Sequence, residues 1–123
     1  MAGLGSTGES LVAEHYRQRG FRVLEKNYIF PKGKQQGELD LVVLKNNELV
    51  FVEVKTRKSN RFGSPFEAVD QYKQAKLVKT AKLYLMANPQ YADYEYRIDV
   101  AAVDVDNLQN PVIILENAIG DVN

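Results

Sequence analysis

Asp40, Glu53 and Lys55 stand in the stretch GELDLVVLKNNELVFVEVKTR, Gly37 to Arg57, among residues that are mostly apolar. Two apolar runs flank Lys45-Asn46-Asn47, and asparagine accepts the left-handed backbone of a two-residue hairpin turn. With the turn at Asn46-Asn47, facing residues have numbers that sum to 93, a constant set by Lys45 opposite Glu48. Asp40 then faces Glu53, and Glu38 faces Lys55 one step further along the same face. The rest of that face is Val42, Leu44, Leu49 and Phe51; the other is Leu39, Leu41, Val43, Val50, Val52 and Val54. Moving the turn by one residue breaks this pairing but keeps the two-residue spacing of Glu53 and Lys55. Like charges directly opposed destabilise a sheet. A divalent cation resolves the conflict, because hard cations take carboxylate oxygens and Mg²⁺ is often held by only one or two of them. The plain alternative is an exposed sheet end at which Lys55 screens the acids.

The elements that must hold these residues follow from periodicity and punctuation. STGESLVAEHYRQRG reads as a helix, with Ser6 or Thr7 as its cap and Gly20 where a left-handed C-terminal cap belongs. Glu9 falls on its apolar stripe beside Val12, Ala13 and Tyr16. Two readings of Glu9 stand level: an acid aimed at the site, or the fourth member of a Ser6-Thr7-Gly8-Glu9 capping box. FRVLEKNYIF reads as a strand and PKGKQQG as a polar loop, followed by the hairpin. KSNRFGSP is a loop, and a long helix runs from about Pro65 to Ala87, capped by Ser64 with Glu67 and stopped by Asn88-Pro89. Its stripe is Phe66, Val69, Leu77 and Tyr84, with Lys73 in the middle; the common alternative for Lys73 is a stem that packs while its ammonium reaches water. Lys76 and Lys79 drift to the outer side, and Gln71 is at the edge. YEYRIDVAAVDV and PVIILEN are the last two strands, with a tail that frays.

The order is α-β-β-β-α-β-β. Strands apolar on both faces need cover on both sides, so the expected fold is α/β, a central mixed sheet flanked by helices. The 123 residues suit one domain, 1–123, with a core at about 7–116. There is no cysteine, which excludes thiol catalysis and cysteine-ligated metal sites. The start of the chain lacks the pattern of a signal peptide and no apolar run approaches a membrane span, so a cytoplasmic protein without a membrane partner is expected. Net charge is zero, yet residues 1–82 hold 15 Lys+Arg against 9 Asp+Glu while residues 83–123 hold 1 against 7. Such a split can leave a basic face, or it can place bases on solvated faces of several elements. The run Lys55 to Arg61, with Arg57, Lys58 and Arg61, is placed to meet phosphates beside the acids. His15, the only histidine, reads as a helix-surface residue. Arg97 and Asp99 read as a structural ion pair, and Asn27 either orients the first-helix acid or serves a turn.

An acid on one strand followed by E-x-K on the next resembles the PD-(D/E)xK nuclease superfamily, and the acidic first helix resembles its Holliday-junction-resolvase branch. More closely, GES…A…YRQRGFRVLEKNY…GELDLVV…LVFVEVKTR…FGSPFEAV…K is similar to the small bacterial YraN-like family, from Gly8 to about Asp99. The sequence has GELD, without the proline of the full motif, as is usual in the resolvase-like branch. The resemblance implies a restriction-endonuclease-like sheet with Mg²⁺ or Mn²⁺ held by Asp40, Glu53 and the Val54 carbonyl. It implies that Lys55 orients the attacking water or stabilises the charged phosphate, that Glu9 is an auxiliary acid, and that Lys73 matches a family lysine. The function expected is a metal-dependent endonuclease on DNA, with branched or structured DNA as a candidate substrate, acting as a monomer or weak homodimer. The competing readings are a nucleic-acid-binding module of the same fold with little catalysis, and a protein-interaction domain.

Overall fold

Five strands form one sheet in the order β1-β2-β3-β4-β5 in a computed structural model that describes residues 4–30, 37–57, 70–107 and 109–120. The elements are α1 (Leu4–Gln18), β1 (Arg22–Phe30), β2 (Gly37–Lys45), β3 (Glu48–Arg57), α2 (Gln71–Ala87), β4 (Glu95–Asp104) and β5 (Val112–Ile119), with a 3₁₀ turn at Pro89–Tyr91. This is the expected α/β order. β3 and β4 pair in parallel and all other neighbours are antiparallel, which makes the sheet mixed. The parallel pair requires a long crossover, and α2 lies within it.

Each face of the sheet has its own core. Val12, Ala13 and Tyr16 of α1 pack on Leu41, Val43, Val50, Val52, Ala101 and Val103. Leu77, Ala81 and Tyr84 of α2 pack on Val42, Leu44, Leu49 and Phe51. These strands are covered twice, which is why they read as unbroken apolar runs. α1 ends as predicted: Gly20 adopts φ +92, Phe21 N–H donates to the Tyr16 carbonyl and Gly20 N–H to the Arg17 carbonyl, the paired bonds of a Schellman cap. Lys45 Nζ then donates to the Arg19 carbonyl at 2.9 Å and ties this helix end to the hairpin.

Several boundaries differ from the sequence expectation. α1 begins at Leu4, so Ser6 and Thr7 lie inside its first turns and do not cap it. α2 begins at Gln71: Asp70 is in extended backbone (φ −74, ψ 175) and its side chain accepts from Lys73 N–H. An extended Asp70 interrupts the helix predicted from Pro65, and aspartate at this position satisfies an otherwise orphan donor. Ser64, Phe66, Glu67 and Val69 lie outside the described residues. β5 continues to Ile119, which is buried in the α2-side core, so ordered packing extends past residue 116. Leu39 packs with Val42 and Leu44, not with Leu41 and Val43. Strict alternation is lost there, where the β2–β3 ladder ends at Leu41↔Val52.

Candidate active site

The hairpin register is the predicted one from Lys45↔Glu48 to Leu41↔Val52. Beyond that pair the strands part, and the Asp40 side chain takes over from the backbone: Asp40 Oδ2 accepts the Val54 N–H at 2.8 Å. One oxygen of Asp40 is thus fixed by β3, and its carboxyl still meets that of Glu53 within hydrogen-bond reach. Burial, reinforced by the facing Asp40, pushes the Glu53 carboxyl up to about 7. Lys55 Nζ lies 3.8 Å from Glu53. Burial and the neighbouring Lys73 push the Lys55 ammonium below its usual range, while Glu53 opposes that shift.

Asp40 and Glu53 open onto a cleft of about 330 Å³ at the parted end of the hairpin. Asp40, Glu53 and Leu77 line it together with Gly37, Glu38 and Ile29 from the β1–β2 end and Lys73 and Lys76 from α2. Lys76, expected on the outer side, therefore reaches the cleft. The helix phase could have shown this, since Lys76 is only three positions from Lys73. Gln71 is exposed and is not among the cleft residues. Two close approaches set the position of the helices. A β-carbon on Gly37 would overlap the Thr80 side chain of α2, and one on Gly8 would overlap the Thr56 side chain beside Lys55. Neither approach had a sequence signal beyond the glycine itself.

Glu9 is in the body of α1, since the helix starts at Leu4, and this removes its capping-box reading. Burial and the carboxylates of Asp40 and Glu38 push its carboxyl above the usual range, and a hydrogen bond with Asn27 partly offsets them. Asn27 thus orients the α1 acid, one of its two expected roles. Glu9 approaches from the α1 side, and Lys73 and Lys76 from the α2 side. Val54 contributes its N–H to Asp40. Arg57 ends β3, and Lys58 and Arg61 lie outside the described residues.

Arg97 and Asp99 are elsewhere and are structural. Asp99 is fully buried and accepts from Tyr16 Oη at 2.7 Å, Arg97 Nε at 3.0 Å and Asn117 N–H at 2.9 Å. Arg97 also pairs with Glu48. A buried carboxylate with three donors is satisfied and has no spare capacity for chemistry.

The donor set of the cleft fits a hard divalent ion: two carboxylates converge, and the raised proton affinity of Glu53 beside Asp40 marks a pair that a cation would hold together. Among the described residues no third Asp, Glu, His or Cys joins a metal-binding group with them. Two carboxylates still suffice for Mg²⁺, which keeps several waters.

Fold and cleft define a small α/β protein whose paired carboxylates and lysines meet where a hairpin parts. The chain belongs to the family described as "Uncharacterised protein family UPF0102", whose model matches residues 8–103. That span runs from the α1 glycine packed on Thr56 to Val103, the penultimate residue of β4, and contains every residue of the cleft. The chain is similar to UPF0102 proteins of Caldanaerobacter subterraneus subsp. tengcongensis (46% identical over 81% of this chain and 78% of the relative) and of Syntrophomonas wolfei (43%, over 94% and 96%). It is also similar to one from Stutzerimonas stutzeri (37%, over 93% and 92%). Among the described residues no helix is long and apolar enough to cross a membrane.

Proposed function

We propose that the protein is a metal-dependent phosphodiesterase of the PD-(D/E)xK type that cuts DNA, with branched or structured DNA as the candidate substrate. The observation that carries this reading is the apposition of Asp40 and Glu53 with Lys55 Nζ 3.8 Å from Glu53. In this reading Asp40, Glu53 and the Val54 carbonyl hold Mg²⁺ or Mn²⁺. The ion supplies a Lewis acid at the phosphate and an acidified water. Lys55 places positive charge where the reacting phosphate gains negative charge. Its depressed affinity for a proton also suits it to orient a water. Lys73 restrains the Lys55 ammonium from the α2 side, and Glu9 is an outer acid reaching Asp40 from α1. Arg57, Lys58 and Arg61 meet the flanking phosphates.

The test is cleavage of plasmid, linear and four-way-junction DNA across an Mg²⁺ and Mn²⁺ titration. Lys55→Ala is expected to lower the rate by about 10²-fold or more. That no third potential ligand joins the pair in a metal-binding group among the described residues favours a second reading, a DNA-binding module with little catalysis. Binding without metal-dependent cleavage on any of these substrates would select it.

A further inference from the structure

The two walls of the cleft differ in kind. On the α2 side stand Lys73 and Lys76; on the strand side stands Ile29, 59% exposed on edge strand β1 and paired with Glu38. α2 carries four lysines and no acidic residue between Gln71 and Ala87. Among the described residues no ion pair holds the Lys76 ammonium, and it is exposed at the cleft. The formal charges of Lys73 and Lys76 fall one short of those of Glu38, Asp40 and Glu53, so a divalent ion would turn the cleft from anionic to cationic. A strand of DNA is two-sided in the matching sense, with anionic phosphates along one edge and apolar sugar and base surface along the other. Phosphate contacts fix orientation on such a strand without reading its sequence.

Resting on the phosphodiesterase reading for the identity of the ligand, we infer that Lys76 grips a phosphate adjacent to the reacting one while Ile29 contacts the sugar–base side, so that the strand lies with its phosphates toward α2. Lys76 is then a positioning residue. Lys82, exposed on α2 but not among the cleft residues, is the matched control.

The experiment is fluorescence anisotropy of a single-stranded oligodeoxynucleotide over a salt series, with Ca²⁺ replacing Mg²⁺. Lys76→Ala should weaken binding several-fold at low salt and flatten the log–log salt slope by about 0.7 to 0.9, one phosphate contact. Lys76→Arg should restore the slope, and Lys82→Ala should leave it unchanged. Ile29→Ser should weaken binding equally at all salt concentrations. Identical slopes for wild type and Lys76→Ala, or equal flattening by Lys82→Ala, would overturn the inference, as would a salt-dependent Ile29 effect. The parent reading fails separately: a Lys76-specific slope without cleavage at any metal concentration retains the docking polarity and removes the nuclease. Cleavage that is indifferent to Lys76 does the reverse.

Discussion

Glu53 is the side chain on which the proposed chemistry of the cleft turns, because in that reading its proton and a cation would compete for the same place. Its carboxyl binds a proton more tightly in the folded chain than the ordinary value of 4.5 would allow, up to about 7. The folded state therefore holds the extra proton: stability from this group is full below about pH 4.5 and is lost as pH climbs through about 7. Thermal melting of the metal-free protein should show that decline, at most about 3 kcal/mol, and Glu53→Gln should flatten it. Added Mn²⁺ should raise the melting temperature more at pH 8 than at pH 5, since the ion displaces the proton. Asp40→Asn tests the partner. It keeps an acceptor for Val54 N–H while removing the facing charge, so Glu53 should titrate lower by carboxyl NMR. Calorimetry should then find Mn²⁺ binding lost; equal binding by both proteins would remove Asp40 from the site.

At the scale of the elements, positions are set by contacts that leave no room for error. Gly37→Ala forces α2 away from β2 at Thr80 and should cost about 1–3 kcal/mol, widening the cleft so that activity falls more than stability explains. Asp70→Ala removes the α2 cap and should cost about 1 kcal/mol in a denaturant titration. The hairpin, both faces of its body and the α1 stripe were legible because period-two and period-3.6 patterns report burial directly. The Asn46-Asn47 turn fixed the register, and with it the proximity of Asp40 and Glu53. Helix starts were less legible, because Ser64 with Glu67 and Ser6 with Glu9 match the capping-box pattern, whereas Asp70, the α2 cap, is followed by Lys73 and completes no such box. Leu39 misled for another reason: it lies past the last rung of the β2–β3 ladder, an end that no local pattern in β2 reports. Lys76 was legible only through its helical phase beside Lys73, because an exposed lysine otherwise looks the same in sequence whether it faces bulk water or a cleft.

For the molecule as a whole, the charge split maps onto its two halves. The basic part contributes the hairpin and α2, and the acidic part contributes β4 and β5. Arg57→Ala, Lys58→Ala and Arg61→Ala combined should weaken DNA binding across sequences and flatten the salt slope; unchanged affinity would exclude this segment as a contact surface. Symmetric cutting of a four-way junction needs two sites, and two-fold pairing is the common way to supply them. The free protein is expected to be a monomer or a weak dimer that pairs on DNA. Light scattering with and without a junction checks this, and a tight dimer of the free protein at every concentration would contradict it.

The parallel pairing of β3 with β4 has a consequence for how the cleft comes into being. Asp40, Glu53 and Lys55 belong to a hairpin that closes through a two-residue turn, an event of microseconds. β4 enters the sheet only after the whole segment containing α2 has been spanned, and Glu48↔Glu95 is its first rung. Contacts so distant along the chain form late because loop closure must come first. A chain that closes this hairpin first would expose its carboxylates before the lysine wall of α2 is seated against them. A divalent ion captured at that stage would act as a folding cofactor, and refolding monitored by stopped flow should accelerate with Mn²⁺ in wild type and not in Asp40→Asn.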